Sequence, residues 1–195
     1  MSLSYVAASA RANILVARAL RITQEELEQI AYLDALTALA NRRMFTADFR
    51  RLLEFSHRHG TRFGLILVDL DGFKEINDTL GHDVGDAVLV EAALRLKIAT
   101  KGAEVVARLG GDEFAILMSA VKDRSSVEAV CQRIVASFVD AVNFKGHSLQ
   151  TSPSVGCALY PENGDEEDSL YKSADFALYD AKRGGRNTWR SYRAA

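Results

Sequence analysis

Apolar positions in this chain recur with two different periods, and the switch between them marks out the elements. From residue 63, Phe-Gly-Leu-Ile-Leu-Val runs unbroken into Asp69-Leu70-Asp71, which predicts a central strand buried on both faces and ending in acids. Val105 to Leu109 and Phe114 to Met118 are shorter apolar runs on either side of Gly110-Gly111. Such a pair can take the positive φ of a tight turn, so they predict a β-hairpin. Helical spacing governs 44–58, with Phe45, Phe49, Leu52, Leu53 and Phe55 as the buried side, and 125–142, through Val127, Val130, Ile134, Val135 and Phe138. It also governs 86–99 and 166–183, the latter stopped by Gly184-Gly185. The segments 34–43 and 72–85 read as linker and loop. Residues 148–160 read as one or two strands in which Pro153 requires an edge or a bulge.

Residues 5–32 contain no Pro or Gly and read as a helix, with Val16, Leu20, Thr23, Leu27 and Ile30 on the a and d positions of a heptad frame. Two readings stay open: a stalk that pairs with its copy in a second chain, or a helix packed on its own domain. The expected organisation is an N-terminal helical stalk over 1–33 and one α/β domain over 34–195, with a mixed central sheet and flanking helices. A chain of 195 residues is long enough to give such a domain a full core.

Charge narrows the partners. Lys and Arg total 24 against 26 for Asp and Glu, a net charge of -2, which argues against nucleic acid as a partner and leaves any anionic ligand to be met locally. Cys131 and Cys157 lie in apolar patterns without metal-ligand spacing, so both read as core thiols, in keeping with a reducing cytoplasm. His57 and His59 are two apart and diverge on a helix end. The early apolar stretch near Ala12 to Leu20 is short and interrupted by Arg18, so no membrane insertion is expected. Met1-Ser2-Leu3 fits an expression scar, which would make this chain a piece of something larger.

Asp112 and Glu113 follow the Gly-Gly turn at once. Alone, they fit a solvated corner better than a site. If the sheet sets the end of the Asp69 strand beside that turn, three carboxylates converge. Asp69, Asp112 and Glu113, with a backbone carbonyl such as that of Leu70, then offer the hard oxygen donors that Mg²⁺ takes, leaving positions for water and phosphate. Two such ions would suit an in-line phosphoryl transfer. Consecutive residues point to opposite faces of a regular strand, so Asp112 and Asp69 rank ahead of Glu113 as ligands.

The run Gly110-Gly111-Asp112-Glu113-Phe114 is the signature of the GGDEF family of bacterial diguanylate cyclases, which this chain resembles over roughly 34–187. The resemblance extends to Asp34-x-Leu-Thr-x-Leu-x-Asn-Arg-Arg43, Asp69-Leu-Asp-Gly-Phe-Lys-Glu-Ile-Asn-Asp78, Gly81-His-Asp-Val-Gly-Asp86 and Ala174-Asp-x-Ala-Leu-Tyr-x-Ala-Lys-x-x-Gly-Arg-Asn187, all in the family's order. It implies a core like the palm of polymerases and nucleotide cyclases, and the condensation of two GTP into cyclic di-GMP with loss of pyrophosphate. The cofactor it implies is Mg²⁺, with Mn²⁺ as a substitute, and catalysis would need a homodimer that forms at least transiently. By the same resemblance Asp69, the Leu70 carbonyl, Asp112 and Glu113 hold the metal, and Glu113 is a candidate for activating the 3′-hydroxyl. Asn77 and Asp86 read guanine; a carboxylate accepts from its N1–H and 2-amino groups, a pairing adenine cannot reproduce. Lys182 and Arg186 clamp the triphosphate, one helical turn apart, and Gly72, Phe73 and Lys74 complete the phosphate cradle.

Each of these has a plainer reading, Asn77 as a loop cap and Lys182 as a solvated helix end; their joint spacing favours the site. A rival function is a catalytically silent GTP-binding domain that regulates an attached partner such as a cyclic di-GMP phosphodiesterase. A second rival is a dimerisation domain that binds no GTP. The family implies an upstream sensor domain and a cytoplasmic location, alone or as the cytoplasmic part of a membrane-anchored protein. One departure stands out. Many members carry an inhibitory product site, Arg-x-x-Asp, where this chain has Lys101-Gly-Ala-Glu104. The charges are kept but the planar guanidinium is lost, so feedback inhibition should be weak or absent.

Overall fold

The computed structural model describes residues 32–193. The stalk expected over 5–32 lies outside them except for its last residue, Tyr32. The elements run α1 (Arg42–His59), β1 (Phe63–Asp71), α2 (Phe73–Leu80), α3 (His82–Ala99), β2 (Val105–Gly110), β3 (Glu113–Met118), α4 (Arg124–Ala136), β4 (Val142–Phe144), β5 (His147–Leu149), β6 (Ser152–Tyr160), α5 (Glu167–Arg183) and β7 (Thr188–Ser191). The main sheet has the order β2-β3-β1-β6-β7 and is antiparallel except for β6 and β7, while β4 and β5 form a separate hairpin. The sheet is therefore mixed, as its sequence pattern predicts.

β1 is the centre of the molecule, and its alternation sorts the helices. Ile66, Val68 and Leu70 face α2, α3 and α4, in a core shared with Phe114, Ile116, Val155 and Leu159. Phe63, Leu65 and Leu67 face α1 and α5, with Phe45, Phe49, Ala115, Leu117, Tyr160 and Leu178. Each fully buried side chain of this kind contributes about 1.5–3 kcal/mol. Asp69 and Asp71 continue the second face beyond the last apolar residue, so β1 delivers its acids to the side that α5 covers.

Several boundaries differ from the sequence reading. Residues 72–85 are not a loop: they form α2 and the first turn of α3. Gly85, at the end of the expected loop, is buried inside α3 and lies so close to α2 that a Cβ there would strike the Asn77 side chain. The helix expected over 125–142 ends at Ala136, since the chain must turn to enter β4. Phe55 is 48% exposed rather than buried, whereas Ser56 on the next position is buried. Pro153 sits within β6, paired with Leu70 on one side, at a point β7 does not reach; its missing N–H costs no ladder bond. β7 was not legible as a strand. Among the described residues no helix is long and apolar enough to cross a membrane.

Candidate active site

At the carboxyl end of β1 a cleft of about 550 Å³ is lined by Asp69, Leu70, Asp71, Gly72, Phe73, Lys74, Glu75, Asp112, Lys182 and Arg186. Three elements meet there. β1 supplies the acids, the β2–β3 turn supplies Asp112, and the end of α5 with the turn after it supplies the cations. Gly72 takes φ 72 between β1 and α2, a left-handed conformation that a β-carbon disfavours, and so lets the chain reverse directly from strand into helix. Phe73 and Lys74 fall in the first turn of α2, where N–H groups lack intrahelical acceptors and the helix end favours an anion.

Asp69 lies opposite Glu113 across the β1–β3 ladder, so the strand and the signature turn are neighbours. The Leu70 amide donates to the Asp112 carbonyl at 3.3 Å, which fixes the turn against β1. Asp112 precedes β3, next to an irregularity between Arg108 and Gly110, and is thus freed from strand alternation. Burial pushes the Asp69 carboxyl above its ordinary range; the Lys182 ammonium, 2.7 Å away, opposes the rise, and the charges of Asp112 and Asp71 add to it. Carboxylates and an ammonium set this close give the cleft groups of both signs side by side.

Glu113 goes elsewhere. On the same face as Asp69, it is more than half exposed, lies outside the cleft lining and meets Arg42 of α1 at 3.5 Å. Among the described residues no three His, Cys, Asp or Glu side chains are gathered as a metal group. Asp69 and Asp112 with the Leu70 carbonyl still form a set of hard oxygen donors suited to Mg²⁺, which binds through one or two carboxylates and keeps water and phosphate on its other positions. Asn77 and Asp86 also lie outside the cleft lining, on α2 and α3, the two helices that lead away from it. Asn77 is half-buried against Gly85, and Asp86 is exposed beside that contact. Lys182 and Arg186 both reach the cleft, but not as helix neighbours. α5 ends at Arg183, and Arg186 stands in the turn before β7 with φ 60.

Arg42 and Arg108, which sequence reasoning passed over, hold the signature turn. Arg42 donates to the Leu109 carbonyl at 3.0 Å. Arg108 donates to the Gly111 carbonyl at 3.0 and 2.8 Å and to both Asp34 oxygens at 3.2 and 3.3 Å. Asp34 also accepts from the Thr37 amide and hydroxyl at 2.9 and 2.6 Å. The available signal was Asp34-x-x-Thr37, an Asx-turn pattern with one carboxylate oxygen to spare. Asp71, a cleft residue likewise unassigned, shares the strand period of Asp69.

A mixed sheet with flanking helices that gathers acids, a helix N-terminus and two cations at one strand end is the architecture of a palm-type domain. The match to the family model "Diguanylate cyclase, GGDEF domain" covers residues 31–188, and the chain belongs to the GGDEF family. The diguanylate cyclase TpbB of Pseudomonas aeruginosa is 39% identical over 161 residues, which make up 82% of this chain and 37% of TpbB. The bifunctional diguanylate cyclase/cyclic di-GMP phosphodiesterase MucR of the same organism is 36% identical over 178 residues, 91% of this chain and 26% of MucR. The crystal structure of the coiled coil and GGDEF domain of DgcB from Caulobacter crescentus, in complex with c-di-GMP, aligns with a TM-score of 0.84 at 31% identity, covering 96% of this chain and 99% of that one. The chain spans well under half the length of these two curated relatives.

Proposed function

We propose that this chain is a working diguanylate cyclase domain, condensing two GTP into cyclic di-GMP with release of two pyrophosphates. The observation that carries the reading is the composition of the cleft: Asp69 and Asp112 beside Lys182 and Arg186, at the first turn of α2. In each half-reaction the 3′-oxygen of one GTP bonds to the α-phosphorus of the other. The α–β bridging bond breaks, and pyrophosphate leaves. Asp69, the Leu70 carbonyl and Asp112 would hold Mg²⁺, or Mn²⁺ in its place, which when bound lowers the pKa of the attacking hydroxyl and neutralises charge on the phosphates. Lys182 and Arg186 bind the β- and γ-phosphates, with Lys182 exchanging its Asp69 partner for the nucleotide. Backbone N–H groups at Gly72, Phe73 and Lys74 cradle the remaining oxygens. Asn77 and Asp86 read the guanine edge, and Glu113 takes the 3′-hydroxyl proton on leaving Arg42.

Each domain holds one GTP and half of the reaction, so two domains must meet face to face, in the cytoplasm where GTP is supplied. The N-terminal segment would set that encounter, under an upstream sensor domain. Purified protein with GTP and Mg²⁺ should form cyclic di-GMP, and Asp112→Ala should not; the check is chromatographic separation of product. A wild type that stays silent when forced into a dimer, while still binding GTP, establishes the second reading, a regulatory GTP-binding domain. The similarity to a bifunctional cyclase/phosphodiesterase supports keeping that reading.

A further inference from the structure

Asp71 has no part in the proposed chemistry, yet its carboxylate is the most heavily engaged in the cleft. Its side chain is 8% exposed. Oδ1 accepts from the Ser154 hydroxyl at 2.7 Å, and Oδ2 accepts from the Ser152 hydroxyl at 2.7 Å and from the Asn187 amide at 3.0 Å. The Arg186 Nε lies 4.0 Å from Oδ1. Ser152 is the partner of Asp71 across the ladder and Ser154 lies two positions on, so both hydroxyls share its face of the sheet.

What this carboxylate grips is an unusual piece of backbone. Gly185, Arg186 and Asn187 have φ of 108, 60 and 46, three consecutive residues in the left-handed region, of which only the first is glycine. Such a conformation persists where its surroundings over-determine it. On one side the Arg186 amide donates to the Ala181 carbonyl at 3.2 Å, tying the turn to α5. On the other, Thr188 enters β7 beside Ser154. Asp71 supplies the third hold, a charge-assisted hydrogen bond to the amide that follows Arg186.

Resting on the proposed cyclase reading, we infer that Asp71 is a positioning residue: by pinning the left-handed turn it holds Arg186 over the cleft and sets the grip on the outer phosphates of GTP. An asparagine here keeps the shape but loses the charge, and its one carbonyl oxygen cannot serve all three donors. Asp71→Asn should weaken binding of a non-hydrolysable GTP analogue by about tenfold or more, the scale of one lost charged contact, and leave GMP, which lacks the outer phosphates, within about twofold. Arg186→Ala should show the same pattern, and the double variant no further loss, because the two residues act in series. Asn187→Gly in the Asp71→Asn background should recover part of the affinity, since glycine takes this φ without a hold. Calorimetry reads the binding and a thermal melt confirms the fold of each variant. Equal losses for the GTP analogue and GMP, additive losses in the double variant, or a folded Asp71→Asn that binds the analogue like wild type would each overturn the inference alone. A wild type that binds no GTP analogue would overturn the cyclase reading itself, and this inference with it.

Discussion

Arg108 does at residue scale what the Gly-Gly turn cannot do for itself. Glycines let the turn form, but two hydrogen bonds from one guanidinium to the Gly111 carbonyl decide where it stays. Its counter-ion is Asp34. Burial works against the ionised form of Asp34, but the Thr37 hydroxyl and amide and the Arg108 guanidinium outweigh it, leaving the carboxyl below its ordinary value of 3.8. A lowered folded-state value adds stability above the unfolded value, and that stability is lost as pH falls through the folded one. Asp34→Asn should therefore melt earlier than wild type at neutral pH, and the gap should close on acidification below the ordinary carboxylate range. Thermal melts at a series of pH values check this. Glu104 is committed too, with Arg51 on its carboxylate at 3.1 Å. Together with Lys101 in place of an arginine, this predicts that cyclic di-GMP at low micromolar concentration does not slow the proposed cyclase reaction; inhibition at that level, abolished by Lys101→Ala, would refute it. The cleft's acids were legible where they end an apolar run or follow a turn, as at Asp69 and Asp112. Asp34 and Arg108 are 74 positions apart, and no periodicity connects them.

Among the elements, β1 was legible to the residue because both its faces are apolar and its acids mark the end. α2 and the start of α3 were not, since Gly72, Gly81 and Gly85 read as loop residues. Two of them cap helices at positive φ, and the third permits a close approach. The hairpin of β4 and β5 has only three residues in each strand, too few for alternation to register, and β7 has four. Gly156 of β6 is where the element scale is most exposed to test. A Cβ there would strike the Leu178 amide and the Ala174 carbonyl of α5, both backbone atoms that no rotamer change can move. Gly156→Ala should destabilise the fold by about 3 kcal/mol, the upper part of the overpacking range, as read from urea denaturation. Because α5 also carries Lys182, any variant that still folds should lose affinity for the triphosphate.

For the whole molecule, all the cleft residues sit at one end of the sheet, so a single domain presents one open face rather than an enclosed chamber. A reaction that joins two nucleotides head to tail needs a second such face. Initial rates of cyclic di-GMP formation should then rise with the square of protein concentration at dilutions where the dimer dissociates, and linearly once it is saturated. A linear dependence down to the lowest measurable concentration would point to a dimer too tight to dissociate, which sedimentation at the same dilution would detect. The mixed sheet and its two helical layers were legible from the order of elements. How the layers divide was decided by the alternation of β1, which sends Asp69 and Asp71 toward α5 and Leu70 toward α3.

The Asp34–Arg108–Gly111 chain gives this arrangement a mechanical side. Asp34 is only two residues into the described chain, yet one side chain links it to the carbonyl next to Asp112. A displacement of Asp34 would reach the signature turn through the Arg108 guanidinium, in parallel with the backbone bonds that tie Leu39 to Asp34 and Ala40 to Val106 and Arg108. Shortening that link, as in Arg108→Lys, should leave the core packed but loosen the position of the turn that carries Asp112.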